Sequence, residues 1–191
     1  MKSSSQALRG RGVIVTRPAR QAAGLARLIE ALGGLALLYP MIEIEPETGA
    51  GLDSVIDTLE RFDLAIFISR NAVEQGVARV AQRRDWPAGL AVAAIGSGTR
   101  MALEAHGFSN VVAPRGQGGS ESLLALLVPP LMDVSGKRVV IFRGAGGRQL
   151  LELTLRERGA AVVYAECYSR KAPQTDVRQA IDAWSHGRVT R

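Results

Sequence analysis

The chain has 191 residues, 47% of them hydrophobic but only 5% aromatic, with a formal net charge of +6. That is enough for one or two domains whose core rests on Leu, Val, Ile and Ala. It excludes a disulfide scaffold, because Cys167 is the only cysteine, and it argues against a metal centre, because His106 and His186 have no His or Cys partner at ligand spacing.

No apolar run approaches the roughly 20 residues of a membrane span. Met1 to Gln6 lacks the apolar centre of a signal peptide. A single cysteine fits a reducing compartment, so a soluble cytoplasmic protein is expected. Lys2, Lys137 and Lys171 are the only lysines, and the other basic residues are arginines. Arginine suits bidentate grip on carboxylate or phosphate, although codon bias in a GC-rich genome explains the excess equally well. The arginines are scattered without aromatic interleaving, which speaks against nucleic acid as a partner.

Residues 1–11 read as a polar, frayed lead-in. Gly12–Thr16 is a strand, and Gln21–Leu32 a helix with Leu25, Leu28, Ile29 and Leu32 at helical steps, stopped by Gly33-Gly34. Leu35–Tyr39 is a second apolar strand. Between Pro40 and Pro46, Ile42-Glu43-Ile44-Glu45 alternates with period two, as an exposed connecting strand does. A short helix over 52–60 leads to strand Leu64–Ile68 and a helix from Asn71 to about Arg84. Strand Val92–Ile95 precedes a helix that ends at His106-Gly107, where His106 meets the negative end of the helix dipole. Val111–Ala113 is a short strand, and 114–119 a flexible loop. Ser120 is placed to cap a helix running to Leu127, with Glu121 in its first turn. Strand Lys137–Phe142, helix Gln149–Arg158 and strand Ala161–Tyr164 follow. Ala165–Arg170 continues extended as a return connection, and Thr175–Ser185 is a helix.

Strands alternating with helices predict an α/β protein with parallel sheets. Residues 52–164 hold five strands, a full flavodoxin-like set, whereas the first lobe has two. Four turns share one grammar, an apolar strand running into a Gly- or hydroxyl-rich turn and then a helix: Thr16-Arg17-Pro18, Ser69-Arg70-Asn71, Gly96-Ser97-Gly98-Thr99 and Arg143 to Arg148. Glycine lets the backbone approach a ligand, and a helix N-terminus offers free N–H groups and positive potential, so these turns suit an anion. In parallel sheets ligands gather at the strands' carboxyl ends, where all four turns fall. A dinucleotide reading fails, since neither glycine turn completes G-x-G-x-x-G, and Gly136-Lys137-Arg138 is not a P-loop.

Several pieces occur together: Val15-Thr16-Arg17-Pro18 with Gln21; Phe67 to Val73; Ile95 to Thr99; Ser120-Glu121-Ser122-Leu123; Arg143-Gly144 with Gly147-Arg148; and Cys167-Tyr168-Ser169-Arg170. Their order and spacing resemble the uroporphyrinogen-III synthase family over nearly the whole chain. The resemblance implies two flavodoxin-like lobes joined by a two-stranded β-ladder. The first lobe would be discontinuous and incomplete here, 1–39 plus 169–191, and the second would be 40–168 with the connecting strands. It implies cyclisation of hydroxymethylbilane to uroporphyrinogen III, with inversion of ring D and loss of water through a spiro-pyrrolenine. The product feeds haem, sirohaem, cobalamin or chlorophyll synthesis. No cofactor is implied, and a complete chain is expected to act as a monomer. There are two departures. Ile68 stands where the family commonly has a hydroxyl residue, and the family carries further strands and helices past residue 191. The chain is therefore expected to be incomplete and of limited activity by itself.

The substrate is an octacarboxylate, and the turns supply donors. Candidate binding residues are Thr16, Arg17, Ser69, Arg70, Asn71, Gly96, Ser97, Thr99, Arg143, Gly144 and Arg148. Ser69, Ser97 and Thr99 read equally well as helix caps, and Arg17 and Arg70 as solvated arginines. Arg148 is placed in a helix's first turn, where the dipole disfavours a cation, which tips it toward a ligand. The resemblance points to Tyr168 as the catalytic residue, a phenol able to protonate the departing hydroxyl; a packing role is its alternative. Cys167 reads as buried filler. The rival from another class is a non-enzymatic two-lobed binder of tetrapyrroles or polyanions.

Overall fold

The computed structural model describes residues 6–174 together with Arg178, Ile181, Asp182 and Ser185; the predicted helix at 175–185 lies largely outside the described residues. The chain divides into two compact units, one formed by 1–44 with 170–191 and the other by 45–169.

In the first unit, β1 (Gly12–Val15) runs parallel to β2 (Leu35–Leu38) with Gly12 opposite Leu35. They are joined by α1 (Ala19–Ala31). Val15, Ala22 and Ile29 make the core here, and Leu8 and Leu25 pack on it. The lead-in is therefore not frayed from Gln6 on: Leu8 donates its N–H to the Leu32 carbonyl at 3.0 Å. Its apolar side chain is the reason, a feature outweighed in the sequence by its basic neighbours.

The other sheet has the order β3-β7-β6-β4-β5. β3 (Glu43–Pro46) is the connecting strand expected from the alternation at 42–45. After α2 (Ala50–Ile56) and a 3-10 turn (Leu59–Arg61), β4 (Leu64–Phe67) lies between β5 (Ala91–Ala94) and β6 (Arg138–Gly144), parallel to both. The last strand, β7 (Ala161–Lys171), is continuous through the predicted return connection and pairs parallel with β6. The predicted strand at 111–113 is reduced to one bridge, Val112 beside Ala93. Asn110 turns the chain at φ 57°, and Pro114 has no N–H to extend the ladder.

Both faces of this sheet are covered, as parallel sheets require. Leu64, Ile66, Val139 and Ile141 point into a cluster with Leu123, Leu127 and Leu155. On the opposite face, Phe67 and Phe142 are register partners whose rings stack at 4.5 Å. α3 (Arg70–Ala81) approaches them through Gly76, where an added Cβ would come within 2.7 Å of Phe142 Cδ1. The far end of α3 holds α2 by two bidentate pairs, Arg79 with Asp53 and Arg83 with Asp57. The remaining helices are α4 (Ser97–Ala105), α5 (Ser120–Leu124) and α6 (Leu150–Glu157). Ser120 is the first residue of α5 rather than its cap; Gly119 takes that place, and no side chain caps the helix.

Candidate functional site

From β4 the chain moves outward to β5, then returns to β6 on β4's other side. The loops after β4 and β6 therefore diverge, and such a reversal opens a crevice at the carboxyl ends of the strands. Six of the expected residues sit at the turn after β4 or at the turn after β5: Ser69, Arg70, Asn71, Gly96, Ser97 and Thr99.

Arg70, Ile95, Gly96 to Thr99, Gly118 and Gly119 line a pocket of about 390 Å³. Its floor is the N-terminus of α4. The first intrahelical bond runs from Arg100 N–H to the Gly96 carbonyl at 3.0 Å, so the N–H groups of residues 97–99 have no helical acceptor. Neither Ser97 nor Thr99 is a cap, since Gly96 holds that position and no side chain closes the end. The Thr99 side chain is only 6% exposed, and its hydroxyl has no hydrogen-bond partner among the described residues. That hydroxyl is not sealed from solvent, so a ligand or water in the pocket can meet it. Arg70, exposed in the first turn of α3, adds a positive charge without an ion pair among the described residues.

Gly118 and Gly119 form the wall that sequence reasoning missed. A Cβ on Gly118 would come within 2.7 Å of Gly96 Cα and 2.8 Å of the Ile95 carbonyl, so two backbones are in contact there. The Gly119 N–H donates to the Ile95 carbonyl at 3.0 Å. The glycines of this loop were visible in the sequence, but their partner, at Gly96, was not.

Ser69 resolves differently from Thr99. It is the N-cap of α3, accepting from Ala72 N–H at 3.0 Å. The same Oγ lies 3.1 Å from the Tyr168 hydroxyl. Tyr168 is 1% exposed. The pairing register explains its place: Arg143 faces Glu166 and Gly144 faces Tyr168, so Cys167 is the extra residue of a bulge, a device that re-aims a side chain. The ring lies on Gly144, where an added Cβ would meet Tyr168 Cε2 and Cζ at 2.6 Å. Cys167 is buried filler, as expected; burial pushes its thiol up to about 12, and Sγ faces the Arg143 carbonyl at 3.3 Å.

Arg143 is 4% exposed. Its guanidinium lies 4.4 Å over the Tyr164 ring, and Nε donates to the Gly144 carbonyl at 3.1 Å. Arg148 is exposed but stands before Gln149, the N-cap of α6, and so is not in the helix's first turn as expected. The helix begins later because Gly146 and Gly147 hold φ values of 71° and 100°. Asn71 is half-buried in the first turn of α3, and Ile68 packs on the apolar cluster, so that position offers no hydroxyl. Thr16 and Arg17 belong to the other unit; both are exposed after β1, and the Thr16 carbonyl accepts from Met41 N–H at 3.1 Å. No cluster of metal-ligating side chains occurs among the described residues, and no helix there is long and apolar enough to cross a membrane.

The chain is similar to known uroporphyrinogen-III synthases. The family described as uroporphyrinogen-III synthase HemD matches residues 23–190. The uroporphyrinogen-III synthase of Salmonella typhimurium is 36% identical over 182 residues, which cover 93% of this chain and 72% of that protein. The Escherichia coli uroporphyrinogen-III synthase is 35% identical over the same shares. Among solved structures, a mutant uroporphyrinogen III synthase from the extremely thermophilic bacterium Thermus thermophilus superposes with a TM-score of 0.63, covering 94% of this chain and 70% of its own, at 23% identity, and so shares the two-lobed α/β fold. On the match over residues 23–190 and the two enterobacterial relatives, the chain belongs to the uroporphyrinogen-III synthase family.

Proposed function

We propose that this chain cyclises hydroxymethylbilane to uroporphyrinogen III, as a cofactor-free lyase of tetrapyrrole synthesis acting as a cytoplasmic monomer. The observation that carries the reading beyond family membership is the pocket over α4, where unpaired backbone N–H groups, the open Thr99 hydroxyl and Arg70 converge with no acidic residue in the lining. One acid arm of the bilane fits such a set, through charge-assisted bonds typically worth about 1.5–3 kcal/mol each. Gly144, Arg148 and Asn71 supply further donors at the β4 and β6 loops, and Thr16 and Arg17 those of the other lobe. Holding the two ends of the linear tetrapyrrole together is the main contribution, because proximity removes the entropic cost of ring closure.

Tyr168 is the proposed acid. Its phenol, or the Ser69 hydroxyl bonded to it, gives a proton to the departing hydroxyl as the C–O bond breaks, forming water and a protonated azafulvene. Ring D then attacks that methylene through its substituted α-carbon to give a spiro-pyrrolenine; the bond from this carbon to its original methylene breaks, the freed methylene closes on the other α-carbon so that ring D is inverted, and the proton lost there as ring D regains aromaticity returns to the phenolate. The burial of Tyr168 favours the second reading, a tetrapyrrole binder without turnover. Product isomer separates the two: an enzyme yields uroporphyrinogen III, whereas a binder leaves the I isomer that forms spontaneously. Tyr168→Phe is expected to lower kcat roughly tenfold to a hundredfold with the fold intact; an unchanged kcat would return Tyr168 to packing.

A further inference from the structure

We infer that Arg143 is a positioning residue for the Tyr168 phenol, acting through Gly144, and that Tyr164 and Glu152 hold Arg143 for this task. The inference rests on the catalytic reading of Tyr168 above. It departs from the expectation that Arg143 grips a substrate carboxylate.

The guanidinium is already engaged. Its face is stacked on Tyr164 at 4.4 Å, Nε is bonded to the Gly144 carbonyl at 3.1 Å, and Nη2 abuts Gly147, where an added Cβ would lie 3.0 Å away. The nearest carboxylate, Glu166 Oε1, is 4.0 Å from Nε. Burying a cation is expensive unless it is well held, and here the holding is explicit. The Tyr164 hydroxyl donates to Glu152 Oε2 at 2.6 Å, and Glu152 Oε1 accepts from Arg156 Nε at 3.0 Å. The Tyr164 ring is thereby fixed as a platform.

Besides Arg143, the glycine turn after β6 has one backbone anchor on β7, the Ala145 N–H donating to the Tyr168 carbonyl at 2.8 Å. The stretch from Gly144 to Gly147 has one side-chain carbon, on the exposed Ala145, and two positive φ angles. The Gly144 carbonyl tie sets the backbone on which the Tyr168 ring rests within van der Waals contact. From there the phenol reaches Ser69, and Ser69 reaches the α3 backbone. The route from Glu152 to Ser69 is continuous, and Arg143 is its only cation in contact with both an aromatic platform and the glycine turn.

The test uses the full chain and five variants. Arg143→Lys keeps the charge but loses the planar stack and the Nε tie. It is expected to lower kcat between roughly tenfold and a hundredfold, with KM within about twofold, and to have no further effect on kcat in a Tyr168→Phe background. Tyr164→Phe keeps the ring but loses its bond to Glu152 and is expected to lower kcat less than Arg143→Lys does, whereas Tyr164→Ala reproduces Arg143→Lys, which keeps the test open should the lysine variant misfold. The chain has three tyrosines, so ring NMR with labelled tyrosine resolves Tyr168 without reference to turnover, and Arg143→Lys should shift its signals. A raised KM with unchanged kcat, effects additive with Tyr168→Phe, or unmoved Tyr168 signals would each overturn the inference. If Tyr168→Phe alone keeps full kcat, the catalytic reading fails, and the ring signals still decide whether Arg143 positions Tyr168.

Discussion

Cys167 and Thr99 show how burial acts in opposite directions at single residues. The Cys167 thiol is 1% exposed and its proton is held up to about 12 by burial. The reactive thiolate is therefore scarce at neutral pH. As the chain's only cysteine, it should resist a thiol reagent at pH 8 in the native protein and react stoichiometrically on unfolding; ready native labelling would contradict its place in the bulge. Thr99 is nearly as buried, but its hydroxyl has no partner among the described residues and caps nothing. Thr99→Ala is thus expected to spare the protein the ~0.5–2 kcal/mol of a lost cap while weakening uroporphyrinogen III binding. A fall in melting temperature without a fall in affinity would assign Thr99 to the fold. Ser69, which the sequence could not tell from Thr99, is the true cap. Both are hydroxyls near the start of a helix, and only the three-dimensional position of the N–H groups separates them.

At the level of elements, glycines inside helices report what each helix packs against. Gly76 places α3 on Phe142, and a methyl there would press into the Phe67–Phe142 stack. Gly76→Ala should cost about 1–3 kcal/mol by overpacking. Gly24 in α1 meets nothing within 4 Å, so Gly24→Ala should stabilise by about 0.5–1 kcal/mol. Chemical denaturation of both variants checks the pair; equal effects would mean that α3 does not sit against β6 as described. Most elements were legible, because an apolar run and a turn signal are local. The exceptions were short or turn-bound. Val111–Ala113 has strand composition, yet Asn110 and Pro114 leave room for one bridge. Arg148 seemed to open a helix that the two left-handed glycines before it delay.

Over the whole molecule, charge is unevenly shared: residues 1–44 and 170–191 hold 11 of the 24 Lys and Arg residues but only 4 of the 18 acidic ones. The other unit's acids are largely committed to structure. Asp57 is held below its ordinary 3.8 by its bond to Arg83, and Asp63 below the same value by the Arg138 backbone N–H. Glu60 and Glu152 lie below 4.5, the first through its own backbone N–H and then Arg84, the second through the Tyr164 hydroxyl and then Arg156. A carboxylate depressed in the folded state stabilises it fully above the unfolded value, and that stability is lost as pH falls through the folded one. Melting temperature should therefore stay level from neutral pH down to about 5 and fall steeply below about 4. A level profile at pH 3 would show that these pairs contribute nothing.

The amino-acid sequence by itself determined the α/β class, nearly every strand and helix, and the glycine and hydroxyl turns at the strands' carboxyl ends. Each of these follows from periodicity and turn chemistry within a dozen residues. Tertiary structure alone decided which turns share a site. Strand order is written in no local pattern, and it is the order β7-β6-β4-β5, with a bulge at Cys167, that brings Tyr168 within 3.1 Å of Ser69 across 99 residues of sequence. The same order sets Arg143 over Tyr164 and presses Gly144 under Tyr168. Those contacts arise because neighbouring parallel strands place their carboxyl ends side by side, whatever separates them along the chain.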